Sequence, residues 1–334
     1  MNINLLDYVI KSKQRKSLVF GTNVGAALIR KSLPVVYTDE NAQVDAIHAF
    51  CDFFKPDFMT TSMDLSIEAE CFGSQVKFLG DSAPVVTGRL ITDTTQINHI
   101  PVPDIGEMRT KFCLNILQKI VSAKPNIPVI AGAIGPFTLA GRLFGVSEFL
   151  ELVILDPESS IKLIEKCNSF IENYICVIKS LGADGVLLAE PTAGLLSPKQ
   201  LGKFSSDYIT ELVQKLDSPE FRIIYHNCAA ALPHLPQIIE SEVSIMHFGE
   251  PMDIPESLSR VPPDRIISGN LDPAKVFLLG SHALIESSTT ELLSRTAGYP
   301  NFLISPGCDL PADIAIDKLE LFDAVIGNFN NQSG

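Results

Sequence analysis

The chain has 334 residues with 26 basic and 39 acidic side chains, which gives a formal net charge of −13. This negative charge argues against a nucleic-acid or anionic-membrane partner, because phosphates would be repelled over most of the surface. No apolar run approaches the ~18 residues of a membrane span, and the N-terminal stretch lacks the charged-then-apolar order of a signal peptide, so we expect a cytoplasmic protein.

Short apolar runs recur along the chain, and most of them end in Gly, Pro, Asn or an acidic residue. The eight runs are 18–22, 58–63, 128–135, 185–190, 222–227, 243–248, 265–270 and 301–307. Their near-continuous apolar character is typical of parallel strands that are covered on both faces. Segments between them repeat apolar residues every three or four positions, as helices do. These segments are 106–124, 157–180, 198–216 and 284–295.

The alternation of strands and helices predicts an α/β fold, a (β/α)8 TIM barrel formed by a single domain over residues 1–334. The alternative is a doubly wound sheet, but no G-x-G-x-x-G follows its first strand. Residues 66–105 do not fit the alternation. We interpret 73–92 (GSQVKFLGDSAPVVTGRLIT) as a hairpin insertion after the second strand.

In a barrel of this kind, the residues that end the strands face the active site. The polar and thiol residues at the ends of the runs are Asp64, Glu190, His226, Cys228, His247, Asn270 and Cys308. His226 and Cys228 point to the same side of an extended strand, about 6.6 Å apart. An isolated H-x-C pair is more often core packing than a metal site.

A third donor changes this interpretation. Cys308 follows the eighth run in the stiff turn SPGCDLP, and the seven cysteines, an odd number, favour reduced thiols or a metal over disulfides. Two thiolates and one imidazole suit zinc, and three protein ligands leave one position open, as in catalytic zinc sites.

Several motifs resemble those of the uroporphyrinogen decarboxylase superfamily, and specifically its cobamide-dependent methyltransferase branch. The motifs are AGAIGPFTLAGRLFG (131–145), LGADGVLLAEPTAGLLSP (181–198), YHNCAAALPHL (225–235), ISGNLDPAKVFLLGS (267–281) and LISPGCDLPADI (303–314). The resemblance implies a (β/α)8 barrel. It also implies a catalytic zinc held by a His-x-Cys pair and a distant Cys, which match His226, Cys228 and Cys308.

The activity that this resemblance implies is transfer of a methyl group from a methylated corrinoid to a zinc-bound thiol such as coenzyme M. None of the six histidines lies in the D-x-H-x-x-G motif of corrinoid-carrying domains. We therefore expect the methylcobamide to be supplied by a separate corrinoid carrier protein, which docks over the carboxyl ends of the strands.

Other polar residues have weaker claims to a role. We assign Glu190 as an acceptor of the thiol proton and Asp64 and Asn270 as further catalytic candidates, although backbone donors could simply anchor Glu190. Asp309 is a candidate for fixing ligand geometry, and it could equally cap the next turn. His247 is a candidate pocket residue, and Arg142 a candidate partner for a sulfonate or carboxylate; structural or solvated roles are their alternatives.

Three alternative functions remain open at this point. Uroporphyrinogen decarboxylase has an arginine-rich motif at the first strand, whereas the corresponding stretch LVFGTNVGAAL (18–28) contains no arginine. A related corrinoid-dependent enzyme could use a methyl ether, a methylamine or tetrahydrofolate instead. A non-enzymatic zinc or corrinoid-binding module is the third alternative, and the open coordination position argues against it.

Overall fold

The computed structural model describes residues 3–123 and 125–333, and it has an α/β barrel fold. Seven parallel strands form one curled sheet in the order β1-β4-β5-β6-β7-β8-β9, and β2 pairs with β3 in a separate hairpin. The strands are β1 (Met59–Thr60), β2 (Gln75–Lys77), β3 (Val85–Thr87), β4 (Val129–Ile134), β5 (Gly185–Ala189), β6 (Arg222–Asn227), β7 (Ile245–Phe248), β8 (Ile266–Leu271) and β9 (Phe302–Pro306). The (β/α)8 class predicted from the sequence is confirmed.

Helices separate the strands and cover the outside of the sheet. The α-helices are α1 (Leu5–Ile10), α2 (Thr22–Leu28), α3 (Leu33–Val36), α4 (Glu40–Phe54), α5 (Ile67–Cys71), α6 (Met108–Ser122), α7 (Pro136–Phe144), α8 (Val146–Leu155), α9 (Pro157–Ser180), α10 (Pro198–Leu201), α11 (Asp207–Leu216), α12 (Leu235–Glu240), α13 (Ile254–Arg260), α14 (His282–Arg295) and α15 (Ile316–Ser333). Within the described residues, none of these helices is long and apolar enough to cross a membrane.

The first predicted strand, 18–22, is not a regular strand. Its neighbour Ser17 makes a single bridge to Ile304 of β9, and α2 begins at Thr22. On the other side, the carboxylate of Asp57 accepts hydrogen bonds from the Ser17 backbone and the Lys16 ammonium, each at 2.8 Å. Residues 17–20 therefore form an irregular eighth strand of the barrel. The Asp57 side chain connects this strand to the segment before β1.

Three groups of apolar residues form the core: one inside the barrel, one between the sheet and the helices, and a smaller one among α2, α3 and α4. The inner group consists of inward-facing residues of the strands together with residues of α1, which lies at the end of the barrel where the strands begin. Its members include Leu5, Val9, Leu18, Phe20, Ile130, Leu187, Ile224, Ile245, Ile266 and Leu303. Leu18 and Phe20 belong to the inner group and Val19 to the outer group. The side chains of the irregular eighth strand therefore alternate between its two faces, as in a regular strand.

Of the four predicted helices, 157–180 matches α9, and 284–295 lies within α14, which begins at His282. The predicted 106–124 helix is observed as Met108–Ser122, and residue 124 lies outside the described residues. The predicted 198–216 helix is interrupted by a wider, π-type turn at Gly202–Ser206. Gly202 packs against the Gln237 side chain there, so contact with the next helix accompanies the change of helical pitch.

The predicted insertion is confirmed as a two-stranded antiparallel hairpin, in which Gln75 pairs with Thr87 and Lys77 with Val85. Phe78 and Ala83 from its connecting loop pack on the same apolar cluster as Ala312, which follows Cys308 in the loop after β9. The hairpin therefore lies beside the end of the barrel at which the strands finish.

Candidate metal centre

The structure brings His226, Cys228 and Cys308 together. One ligand atom from each residue lies within 4.8 Å of the others, and Cys308 Sγ is 3.9 Å from His226 Nε2. Within the described parts of the chain, no other group of three His, Cys, Asp or Glu side chains meets this condition. His226 comes from the end of β6, Cys228 follows it, and Cys308 follows β9.

Local turns bring the two cysteines close to each other. The Asn227 side chain accepts hydrogen bonds from the backbone of Ala229 and Ala230 at 3.2 and 2.9 Å, which folds the chain tightly after His226. Glycines allow the neighbouring loops to touch: a Cβ on Gly249 would lie 2.3 Å from the Cys228 carbonyl oxygen, and one on Gly307 would lie 2.9 Å from the Gly249 Cα. Larger residues at these positions would push the loops of Cys228 and Cys308 apart.

The thiols of Cys228 and Cys308 interact through a hydrogen bond. The pKa of Cys228 is lowered to about 7, mainly because the Cys308 thiol donates a hydrogen bond to it. The same hydrogen bond, together with burial, raises the pKa of Cys308 to about 12. The lowered pKa makes it easier for Cys228 to become the thiolate, which is the form that a metal ligand must take.

His226 is held by a second histidine. Its Nδ1 lies 2.8 Å from Nδ1 of His247, and Nε2 of His247 lies 2.8 Å from the hydroxyl oxygen of Ser305. Burial, followed by the neighbouring His226, lowers the pKa of His247 well below its usual value. His247 was predicted as a pocket residue, and the structure places it against the ligand His226.

Glu190 is anchored at the start of α7. Its carboxylate is buried and accepts hydrogen bonds from the backbone of Phe137 and Thr138, both at 2.8 Å, and from the Thr138 hydroxyl at 2.7 Å. Burial outweighs these contacts and raises the pKa of Glu190 to about 7. The carboxylate thus satisfies otherwise unpaired donors at a helix N-terminus, and its role as a proton acceptor stays a prediction.

Asp64 is also engaged by protein groups. Its buried carboxylate forms an ion pair with Arg109 and accepts hydrogen bonds from the backbone and hydroxyl of Ser66 at 2.9 and 2.6 Å. Arg109 also lies 3.3 Å from Glu70. Arg109 is not among the residues predicted from the sequence, because it lies in α6, 45 residues from Asp64, and no motif around it signals this contact.

Asn270 and Asp309 support the two loops of the centre. The Asn270 amide donates to the carbonyls of Gly249 and Met252 at 3.0 and 2.6 Å, so it holds the loop that touches Cys228. One oxygen of Asp309 accepts a hydrogen bond from the Asn23 amide at 3.0 Å. The other is buried and has no hydrogen-bond partner among the described residues, and burial and the neighbouring Cys308 raise the Asp309 pKa well above its usual range.

Arg142 lies in the last turn of α7, where it is half-buried. Its Nε is buried and has no hydrogen-bond partner among the described residues, and burial lowers its pKa. A guanidinium without a protein partner is compatible with binding an anion, and the assignment stays a prediction.

Comparison with known proteins agrees with this architecture. The sequence profile of the family described as uroporphyrinogen decarboxylase (URO-D) matches residues 21–328. A uroporphyrinogen decarboxylase of Thermodesulfovibrio yellowstonii is 24% identical over 265 residues, which are 77% of this chain and 75% of that protein. The methylcobamide:CoM methyltransferase MtbA of Methanosarcina acetivorans is 26% identical over 253 residues, which are 74% of this chain and 72% of that protein.

A solved structure of a methyltransferase from Methanosarcina mazei superposes with a TM-score of 0.87 and covers 98% of both chains at 18% identity. At that identity the likeness establishes the fold and not the activity. Uroporphyrinogen decarboxylases and methylcobamide:CoM methyltransferases are both among the relatives, at similar identity. The comparisons therefore show the family, and the choice between these two activities depends on the residues of the site. Because the family profile spans most of its length, this chain belongs to the uroporphyrinogen decarboxylase family of enzymes.

Proposed function

We propose that the chain is a zinc-dependent methyltransferase that moves a methyl group from a methylated corrinoid to a thiol such as coenzyme M. The observation that carries this proposal is the convergence of one imidazole and two thiols within 4.8 Å at the ends of β6 and β9. The relationship to a methylcobamide:CoM methyltransferase supports it independently.

The donor set fits zinc. Two sulfurs and one imidazole nitrogen are typical zinc ligands, and three protein ligands leave a fourth position for substrate. The lowered pKa of Cys228 eases the loss of the thiol proton that metal binding requires. A zinc ion bound by these residues would supply a Lewis acid that stabilises a substrate thiol as its thiolate near neutral pH.

The protein's own contribution is to orient and to desolvate. His226 is buried, and Cys228 and Cys308 are partly buried, so the reacting sulfur would meet the methyl donor with little competing water. The Asn227 turn and the Gly249 and Gly307 contacts fix the spacing of the donors, which restricts where the substrate sulfur can bind.

The methyl donor is proposed to arrive on a separate corrinoid protein. Exposed apolar side chains lie on segments that follow the ends of three strands. Leu79 in the hairpin loop is 65% exposed, Leu195 after β5 is 59% exposed, and Leu279 after β8 is 80% exposed. Such residues around the open end of the barrel would suit a transient protein contact. Arg142 remains a candidate partner for the anionic group of the thiol substrate.

Glu190, Asp64 and Asn270 remain proposed contributors to catalysis, and their contacts suggest how they would act. The carboxylates of Glu190 and Asp64 and the amide nitrogen of Asn270 are engaged by protein groups, so these residues would act by holding the wall of the site. Asn270 is the clearest case, since its amide holds the loop next to Cys228.

Uroporphyrinogen decarboxylation is the competing activity among the relatives. A substrate with many carboxylates calls for cationic groups, and the stretch 18–28 contains none, while Arg109 is paired with Asp64 and Glu70. No observation in the site favours this activity over methyl transfer.

The test is thiol-dependent demethylation of free methylcobalamin, followed by its absorbance, with zinc content measured on the same samples. We expect demethylation with the wild type, and loss of both zinc and demethylation in Cys228→Ala and Cys308→Ala. Cys176→Ala is the matched control, because this cysteine is exposed on α9. Unchanged demethylation in both site variants would contradict the proposal, as would decarboxylation of uroporphyrinogen without thiol-dependent demethylation.

A further inference from the structure

We propose that His247 is a positioning residue of this centre. A buried chain of hydrogen bonds, which we call the Ser305 relay (Leu18 carbonyl, Ser305, His247, His226), fixes which ring nitrogen of His226 carries the proton. The relay leaves Nε2 of His226 unprotonated and available to a metal ion. This inference rests on the proposed function only in taking His226 as a metal ligand.

The direction of the relay is set at its carbonyl end. The hydroxyl oxygen of Ser305 lies 2.5 Å from the Leu18 carbonyl and 2.7 Å from that of Pro306. Carbonyl oxygens only accept hydrogen bonds, so the hydroxyl hydrogen of Ser305 points toward them. Since a serine hydroxyl has one hydrogen, its contact with Nε2 of His247 at 2.8 Å requires His247 to be the donor.

The same reasoning passes through both rings. With the hydrogen on Nε2, a neutral His247 has a free lone pair on Nδ1, which accepts a hydrogen bond from Nδ1 of His226 at 2.8 Å. His226 then carries its hydrogen on Nδ1, and its Nε2 has the free lone pair. That Nε2 is the atom 3.9 Å from Cys308 Sγ, on the side of the thiols.

Burial and packing prevent the reverse direction. His226, His247 and Ser305 are almost completely buried, so water is not available to replace a lost contact. A reversed relay would turn the Ser305 lone pairs toward two carbonyl oxygens and leave both without this donor, an expensive arrangement in a buried site. The pairing of β6 with β7 sets His226 beside His247, and Phe20 packs edge-on against the His247 ring at 5.3 Å.

The first test reads the proton positions directly. Long-range proton–nitrogen NMR spectra of protein labelled with 15N-histidine, metal-free and reduced, distinguish the two neutral tautomers. We expect the Nδ1–H form at His226 and the Nε2–H form at His247, with the signals assigned from single variants of each. An Nε2–H form at His226 would overturn the proposal, whether or not the protein transfers methyl groups.

The second test compares zinc affinity by competition with a chromophoric chelator. His247→Leu removes the acceptor, and we expect zinc to bind about 10–100-fold more weakly, as for other lost partners of metal-ligating histidines. His247→Asn keeps an oxygen near the position of Nδ1 and should recover most of this loss. His282→Leu, at an exposed histidine of α14, is the control and should bind zinc as the wild type does.

Two outcomes of the affinity comparison would contradict the relay. One is wild-type affinity in a folded His247→Leu variant. The other is an equal loss in the Asn and Leu variants, which would indicate a packing role only. If the Leu variant does not fold, the comparison of Asn with wild type and the tautomer spectra still decide. Loss of methyl transfer with the expected tautomers would count against the proposed function alone.

Discussion

The open end of the barrel has two halves that use their polar side chains differently. On the side of β6 and β9, the donor atoms of Cys228 and Cys308 face each other and His226. On the side of β1 and β5, the carboxylates of Asp64 and Glu190 are already engaged by protein donors. A position at a strand end therefore does not distinguish a ligand-binding residue from an anchoring one. The two kinds of residue differ in whether their polar atoms can still bind a ligand or are already engaged in hydrogen bonds to the protein.

The largest effect should come from removing a donor on the first side. In Cys308→Ala we expect zinc affinity to fall by more than about 100-fold, which exceeds the usual effect of losing an indirect partner. The free energy of unfolding of the metal-free protein should change little, because Cys308 is only partly buried. Equilibrium dialysis with metal analysis measures the affinity, and near-wild-type zinc content would remove the distinction between the two halves.

Glu190→Gln should give the opposite pattern. An amide matches the carboxylate in shape, but its NH2 group would face the donors of Phe137 or Thr138, leaving buried N–H groups unpaired. We expect the free energy of unfolding to fall by about 1–3 kcal/mol, measured by urea denaturation at about pH 5, where the buried carboxyl is largely protonated and only the lost hydrogen bonds count. Zinc affinity of the folded protein should be retained. A variant with normal stability and lost methyl transfer would instead support a direct role of Glu190 in proton transfer.

Glu68 allows the side of β1 and β5 to be tested by the pH dependence of the free energy of unfolding. One of its oxygens accepts a hydrogen bond from Ile134 at 3.0 Å, and the other is buried without a hydrogen-bond partner among the described residues. Burial raises the pKa of Glu68 from 4.5 to about 7. Between these values the folded state binds more protons than the unfolded state, so this residue makes stability fall as pH rises through the window.

The matching measurement is urea denaturation of Glu68→Gln between about pH 4 and pH 8. Relative to wild type, the variant should gain up to about 3 kcal/mol across this window, since its amide does not ionise. Glu291→Gln, at an exposed position of α14, should follow the wild-type curve. Parallel curves for Glu68→Gln and wild type would mean that Glu68 is not protonated preferentially in the folded state.

The sequence predicted the parts of the structure that local patterns determine. The barrel class and the hairpin were confirmed, and helix α9 has the predicted bounds 157–180, with Asp156 capping its first turn. The spacing of His226 and Cys228 predicted two side chains on one side of an extended strand, whereas β6 ends at Asn227 and Cys228 lies in the turn that follows. The proximity of Cys308 followed from the barrel topology together with the family resemblance, since 80 residues separate it from Cys228. Metal binding by the three residues stays a prediction.

The remaining features depend on contacts between distant segments. The irregular form of residues 17–20 results from the Asp57 carboxylate and the early start of α2, and an apolar run does not reveal either. Gly249 and Gly307 matter because two loops touch there, which no single loop shows. Anchoring of Glu190 by backbone donors was an alternative from the sequence, but their location in α7 was not evident, because they are 52 and 53 residues away.

The irregular eighth strand, residues 17–20, affects the order of events during biosynthesis. It is near the start of the chain, yet its main-chain partner is Ile304, and the Ser305 hydroxyl bonds to Leu18 across 287 residues. A ribosome-bound chain that ends before residue 305 has neither this bond nor Cys308, so it offers a metal only the His226–Cys228 pair. Under the proposed function, tight zinc binding would therefore follow the synthesis of Cys308 and the closure of the barrel.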